Sequence, residues 1–289
     1  MNYCDPQGFK NEIKNNIDRG KEAFFTWFDG GDTVDGSFEK AEGIFKRLML
    51  PWAERFYTTT RFDMSNKTSL DIGYGGGGQV LAASKHFKYA LGVDVHEEIE
   101  FVESELKRRT KGKEGNIALF TGDGKTLPID DNKVDFVSSW LTFLHLGTME
   151  IVEGYLKEMY RVMIEEAIAV LFFTRLVRGK NIQTLVEYEN DLKLENEHPL
   201  GYREGGPLTR VNRPNIVISR WKMEELVKKN NFKLLNTTFS HDGDLIYGQH
   251  GIVIQKPKVH KSSQTKSSSE VNKDKPKVRL KIQSKKGKD

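Results

Sequence analysis

The stretch Thr68-Ser-Leu-Asp-Ile-Gly-Tyr-Gly-Gly-Gly-Gly-Gln-Val80 constrains the fold of this chain more than any other. A short apolar strand carries an acid, Asp71, near its end and opens into a glycine-rich turn that leads to a helix. Gly73, Gly75 and Gly77 remove Cβ atoms where a ligand lies against backbone, and they permit the positive φ such a turn needs. A run of glycines is costly to order, so a chain that carries one here uses the close approach. The loop reads as a nucleotide cradle of one of two kinds. Gly73, Gly75 and Gly78 fit the GxGxxG spacing of a dinucleotide site, whereas Gly73, Gly75 and Gly77 fit a GxGxG loop.

The next strand, Tyr89 to Asp94, ends in an acid 21 positions beyond Gly73, where a carboxylate accepts both ribose hydroxyls of an adenosine. Both spacings survive that test. A third acid, Asp123, follows the strand Ile117-Ala-Leu-Phe-Thr and stands where it can accept from an adenine amino group. At these residues the chain resembles the class I S-adenosylmethionine-dependent methyltransferases. The likeness covers about residues 65 to 175, through the Asp71-Ile-Gly73-x-Gly75-x-Gly77 loop, Asp94, Gly122-Asp123-Gly124 with Leu127-Pro128, and Val134 to Trp140. It continues through His145-Leu146 and Glu158-Met-Tyr-Arg-Val-Met163, similar to the family's E-x-x-R-V-L segment. One departure is visible: where the family has K-P-G-G, this chain has Ile164-Glu-Glu-Ala167, so the turn before the fifth strand must be built differently.

The resemblance implies an α/β, doubly wound, mostly parallel seven-stranded sheet with an antiparallel last strand, and S-adenosyl-L-methionine as cofactor. It implies that Asp71 supports the glycine loop and the methionyl ammonium, that Asp94 holds the ribose, and that Asp123 with the Gly124 amide reads adenine. Tyr74 and Trp140 offer electron-rich faces to a sulfonium. An NAD(P)-dependent oxidoreductase is the alternative, favoured by Gly78.

Along the chain, helices are expected over about 6–28 and 37–56, split by the turn-rich Asp29 to Gly36. Ile44, Leu48, Trp52 and Phe56 form a stripe that packs on the nucleotide-binding core, with Pro51 kinking or dividing the helix. From Ser69 strands alternate with amphipathic helices, which implies right-handed crossovers. This gives an N-terminal helical cap over 1–64 and a methyltransferase-like domain over 65–256, with an acceptor-side insertion after strand 5 over 174–218. A helix is expected over Leu176 to Leu194 inside that insertion. The chain then closes with helix Arg220 to Asn230 and an antiparallel pair, Phe232 to Phe239 and Tyr247 to Gln255.

Residues 257–289 carry eleven Lys and Arg against three Asp and Glu, a balance of +8 that leaves −4 on the rest of a chain of net +4. This Lys/Ser-rich tail has too little apolar surface to offset its ordering and is expected to be disordered, with polyanions as its natural contacts and Val278 to Ile282 as its one strand-like fragment. Cys4 is the only cysteine, which excludes an internal disulfide. The first twenty residues lack the apolar core of a signal peptide, and no apolar run approaches the roughly 20 residues of a bilayer span. A cytoplasmic protein without a membrane span is expected.

Methyl transfer needs alignment and exclusion of water more than catalytic side chains. His145 follows the fourth strand where an acceptor arrives, and a neutral imidazole there is placed to remove a hydroxyl proton. Tyr202, Arg203, Arg210, Asn212 and Arg213 of the insertion make a polar, cationic set for an acceptor. His241, Asp242 and Asp244 read as a polar turn, and no metal site is expected. The functional expectation is methyl transfer to a small-molecule or glycan-type hydroxyl or amine. Two alternatives stand beside it: a nucleic-acid methyltransferase gripping phosphates through the tail, and a non-catalytic scaffold with the same fold.

Overall fold

Short runs of Val, Ile, Leu and Phe separated by amphipathic helices return the chain repeatedly to the same end of a sheet. The computed structural model describes residues 6–57, 63–111, 115–176, 185–205, 215–238 and 249–258. In it β1 (Thr68–Ile72), β2 (Tyr89–Asp94), β3 (Ile117–Thr121), β4 (Val134–Ser139) and β5 (Met163–Thr174) pair in parallel. A separate antiparallel pair, β6 (Tyr202–Glu204) and β7 (Ile216–Ile218), follows within the insertion and was not legible in the sequence. With β8 (Lys233–Thr238) and β9 (Gln249–Gln255), the main sheet has seven strands in the order β3-β2-β1-β4-β5-β9-β8. Of these, β9 alone runs against its neighbours, as the resemblance implied.

Eight residues of β5 are buried in succession from Ala167 to Thr174, the pattern of a strand covered on both faces. On one face α8 (Met149–Val162) and α10 (Arg220–Lys229) bring Val152, Leu156, Met159, Met223 and Val227 against Val137, Ala169, Leu171 and Ile252. The other face carries α5 (Gly78–Ser84), α6 (Ile99–Thr110) and the N-terminal helices α1 (Pro6–Asp18), α2 (Lys21–Asp29), α3 (Val34–Ile44) and α4 (Leu50–Tyr57). There Phe24, Phe25, Phe45 and Met49 are fully buried together with Phe136, Val170 and Phe172. At roughly 1.5–3 kcal/mol for each large apolar side chain removed from water, this cover is part of the sheet's own core.

The N-terminal region departs from the sequence expectation in two places. The first expected helix is divided at Gly20, whose φ of 110° no other residue adopts readily. The second starts earlier, at Val34, because the Thr33 hydroxyl accepts from the Gly36 amide at 3.0 Å and caps the helix. Between α3 and α4, Phe45–Met49 forms a π-helical turn. That wider turn absorbs Pro51, which lacks the N–H a continuous α-helix requires, so the expected kink becomes a local widening. Leu48 and Trp52 of the apolar stripe pack on the cap-side core; the side chain of Phe56 lies outside the described residues.

The departure at Ile164-Glu-Glu-Ala167 also has a structural answer. β5 begins at once at Met163, its register with β4 shifts, and Glu166 takes a left-handed φ of 67°. Lys256 fastens the irregularity: its amide donates to Ala167 O at 3.0 Å and its ammonium to Met163 O at 2.7 Å. In the insertion, the described helix α9 is Leu185–Glu197. Residues 177–184, the turn holding His241, Asp242 and Asp244, and the 257–289 segment from Val259 onward lie outside the described residues.

Glu105 of α6 ties the cap to the domain. Its side chain is fully buried, yet it receives Lys21 of α2 at 2.5 Å and both Arg108 and Arg109 at 2.7 Å. Burial alone would raise the carboxyl pKa, but donors on Arg108 and Lys21 outweigh it and hold the group down to about 2. Between about 2 and the ordinary value of 4.5 the unfolded chain binds a proton that the folded one refuses, so stability rises with pH across that window. Glu105→Gln is therefore expected to be less stable than the parent above pH 4.5. The difference should shrink as pH falls towards 2, as read from urea midpoints at several pH values.

Candidate active site

In a parallel sheet the strand tips at one end surround the natural ligand crevice. Here the tips of β1, β2 and β4, with α7 (Thr142–His145), enclose one cleft. It gathers most of the residues singled out from sequence: Asp71, Gly73, Tyr74, Gly75, Asp94, Gly124, Trp140 and His145. Four residues of the N-terminal helices close it from above, Phe9, Ile13, Trp27 and Phe28. The N-terminal part of the lining therefore comes from α1 and α2; Ile44, Leu48 and Trp52 of the α3–α4 stripe do not line the cleft.

The glycine loop is held at Gly75. Its N–H donates to Asp94 Oδ2 at 2.8 Å, and its carbonyl meets His96 Nε2 at 3.1 Å. His96 Nδ1 accepts from the Glu98 amide at 3.3 Å, which assigns the ring proton to Nε2 and makes that nitrogen the donor to Gly75. Asp94 uses its other oxygen to accept from the Val95 amide at 2.6 Å. Asp71, buried beneath the loop, accepts from Ser138 Oγ at 2.9 Å.

The glycines give way to protein as well as to any ligand. Gly75 has a φ of 51°, and a Cβ on it would stand 2.5 Å from the Phe28 ring of α2. A Cβ on Gly77, at φ 83°, would stand 2.9 Å from Val102 of α6. Gly77 does not line the cleft; it lets α5 start where α6 crosses it.

Asp123 stays outside the cleft lining. Its carboxylate closes its own turn, accepting from the amides of Lys125 and Thr126 and from the Thr126 hydroxyl at 2.6–2.9 Å. Partial burial pushes its pKa up, but the Thr126 and Lys125 donors prevail and keep it below the ordinary value. The next segment is fixed by the Glu158 and Arg161 pair of α8: Leu127 N donates to Glu158, and Arg161 donates to the carbonyls of Leu127 and Ile129.

Tyr74 and Tyr155 stand in the cleft wall, and burial, with the Asp94 charge second, pushes both phenols far above their ordinary pKa. They are neutral hydroxyls at any physiological pH. The His145 ring packs edge-on against Phe9 at 5.3 Å, and Asn215 donates to its carbonyl at 3.0 Å. Trp140 rests edge-on against Phe172 at 4.7 Å. Of the expected acceptor residues, Tyr202 packs half-buried on the core and Arg203 is exposed on β6. Neither lines the cleft, and Arg210, Asn212 and Arg213 lie outside the described residues.

Residues 70–171 match the methyltransferase domain family model. The chain contains a class I S-adenosylmethionine-dependent methyltransferase domain. Solved structures of the same fold resemble it at low identity. A Pyrococcus horikoshii OT3 protein is 18% identical with a TM-score of 0.51, over 76% of this chain and 92% of its own. A candidate sarcosine dimethylglycine methyltransferase from Galdieria sulphuraria is 15% identical with a TM-score of 0.50, over 77% and 87%. No curated protein sequence matches. No described helix of the methyltransferase is long and apolar enough to cross a membrane.

S-adenosyl-L-methionine is the cofactor of this domain, and the donor set suits it. The cleft presents two carboxylates, glycine backbone and aromatic walls, and among the described residues no Lys or Arg lines it. Such a lining favours a cationic sulfonium.

Several of these residues were missed from sequence. His96 directly follows the strand-end pair Asp94-Val95, and Trp27-Phe28 ends an aromatic-rich helix; both are visible as residues, but their approach to Gly75 is tertiary. Asp94→Ala removes the acceptor of the Gly75 amide together with the proposed ribose contact. It is expected to weaken S-adenosylhomocysteine binding by about 1.5–3 kcal/mol, the range for hydrogen bonds to a charged group, with the thermal transition retained. Isothermal calorimetry beside a melting curve checks both halves.

Proposed function

We propose that this enzyme transfers the methyl group of S-adenosylmethionine to a hydroxyl or amine of a small molecule held under the N-terminal helices. The observation that carries the reading is the cleft itself. Its floor is the glycine loop with Asp71 and Asp94, and its roof is apolar and aromatic, from Phe9, Ile13, Trp27 and Phe28. A site covered in this way suits a compact acceptor and excludes water.

In this reading Asp71, Gly73 and Gly75 hold the methionyl end and Asp94 the ribose. Asp123 takes a supporting part by fixing the turn that presents Gly124, in place of the direct adenine contact expected from sequence. The bound cofactor supplies a methyl group already activated on a sulfonium. The chain's own residues align the acceptor and manage its proton. His145 lines the cleft on the last turn of α7, with Phe9 against its ring. A hydroxyl acceptor donates its proton to this imidazole as the oxygen attacks, whereas an amine arriving unprotonated needs only alignment. Tyr155, kept as a neutral phenol, is available as a hydrogen-bond donor to the acceptor.

A nucleic-acid acceptor is less well supported. The roofed cleft suits a compact ligand better than a polymer, and no Lys or Arg among the described residues lines it for phosphates.

Two measurements test the reading. S-adenosylhomocysteine is expected to bind by calorimetry and NADH to give no signal; the reverse result overturns it. For a hydroxyl acceptor found by screening with labelled cofactor, His145→Ala is expected to slow transfer by roughly 100-fold while leaving S-adenosylhomocysteine affinity in place. An unchanged rate removes His145 from proton transfer.

A further inference from the structure

Tyr202 and Arg203 of the insertion do not line the cleft, yet Asn215, at the entry to β7, reaches the short helix that does. The Asn215 amide N–H donates to Leu144 O at 2.7 Å, and its side-chain Nδ2 donates to His145 O at 3.0 Å. Only the NH2 group of a side-chain amide can donate to a carbonyl, which fixes the orientation of this one. Asn215 is 1% exposed, and its Oδ1 meets no partner among the described residues. A buried acceptor left unmet is costly, so the amide is held here for its donor.

Those two carbonyls matter because α7 cannot hold itself. The last four carbonyls of any helix lack intrahelical partners, and α7 has four residues. It is also entered through Leu141 at a left-handed φ of 49°, a conformation such a side chain keeps only where its surroundings impose it. At the start of α7, Thr142 Oγ1 donates to Ile72 O at 2.8 Å, directly before the glycine loop, and a Cβ on Gly73 would strike that same hydroxyl. At its end stands Asn215. Glu204 of β6 secures the far side of the turn by accepting from the Met149 amide of α8 at 2.8 Å, and the Gly205 amide closes on Asn215 O at 2.6 Å. The end of the β6–β7 pair thus grips both sides of the segment joining α7 to α8, whose Thr142, His145, Leu146 and Gly147 line the cleft.

We propose that Asn215 is a positioning residue of the cofactor cleft: it fixes the end of α7 against the glycine loop, so that the β6–β7 pair sets the cleft wall from behind. This goes beyond the acceptor reading and rests only on S-adenosylmethionine as the cofactor of the domain. When the Asn215 bond is lost, α7 leaves its place for part of the time, and apparent cofactor affinity falls in proportion to the competent fraction. The linkage is reciprocal, so a bound cofactor must in turn hold the β6–β7 end closed.

The test uses the full chain with S-adenosylhomocysteine as the probe. Asn215→Leu removes the donor and the unmet acceptor together at nearly constant size. It is expected to bind S-adenosylhomocysteine about 3-fold more weakly or worse by calorimetry, with a cooperative melting transition retained. In the unchanged protein, saturation with S-adenosylhomocysteine is expected to slow hydrogen exchange of the Asn215 and Gly205 amides by about 3-fold or more. That rate is read where these amides exchange faster than those of β5, so that local opening and not global unfolding is measured. An Asn215→Leu variant that folds and binds with less than this loss would overturn the proposal, and so would local exchange that ignores S-adenosylhomocysteine. Should Asn215→Leu fail to fold, exchange in the unchanged protein decides. Failure of the parent to bind S-adenosylhomocysteine is a separate result, which would remove the cofactor itself and with it both this proposal and the acceptor reading.

Discussion

The peptide groups of Gly75 are held from both sides by the chain that leaves β2: Asp94 takes the N–H and His96 donates to the carbonyl. Neither contact is available until β1 and β2 are paired in parallel, with Asp71 opposite Gly92 and Ile72 opposite Val93. The loop conformation is therefore a product of sheet register and cannot form ahead of it. Once formed, it decides where everything else stands. Gly75 at φ 51° offers the flat surface on which Phe28 lies, and the Phe28 ring approaches His96 at 5.9 Å. Loop, imidazole and roof are one packed unit, so a change in any of them is felt by the cleft.

That coupling gives the N-terminal helices a dual character. Phe24 and Phe25 are core residues, fully buried beside the sheet, while Trp27 and Phe28, a few positions on, line the cleft. Successive positions of a helix lie about 100° apart, so one short helix can anchor in the core on one side and face the ligand with its next turn. The Glu105 cluster fixes the beginning of α2 through Lys21, and the left-handed Gly30 ends it by returning its amide to Thr26 O at 2.8 Å. Both ends of the helix are pinned, so its aromatic pair is presented to the cleft in a set place. The aromatic lining on this side of the site is thus supplied by the N-terminal helices.

How much of this was legible in the sequence depended on the range of the interaction. The parallel strands with their crossovers and the residues at the tips of β1, β2 and β4 followed from local signals, namely alternating periodicity, glycine spacing and acids at strand ends, whereas the seven-stranded order with its single antiparallel strand followed from the family resemblance. Elements set by tertiary fit did not. The π-helical turn ahead of Pro51 and the left-handed Glu166 each relieve a conflict that arises only when neighbours are packed. Gly77 is instructive, since its spacing was read as space for a ligand, whereas the nearest atoms to its missing Cβ belong to Val102 and Leu106. A glycine signature marks a close approach and does not name what approaches.

Asp123 carries the same lesson for acids. At the end of β3 it occupies the position where the resemblance implied an adenine contact, and its oxygens also accept from the amides and hydroxyl of its own turn. A carboxylate with that many donors is a turn-forming group first, because each donor it holds lowers the energy of the charged form in place. The turn in turn presents the Leu127 amide to Glu158, whose partner Arg161 holds the carbonyls of Leu127 and Ile129. The Glu158 and Arg161 segment, which in sequence was only a mark of family likeness, thus braces the Leu127 to Ile129 segment that follows this turn. Acids at successive strand tips divide the work: Asp94 holds the glycine loop while facing the cleft, Asp71 supports the floor from below, and Asp123 shapes the rim without entering it.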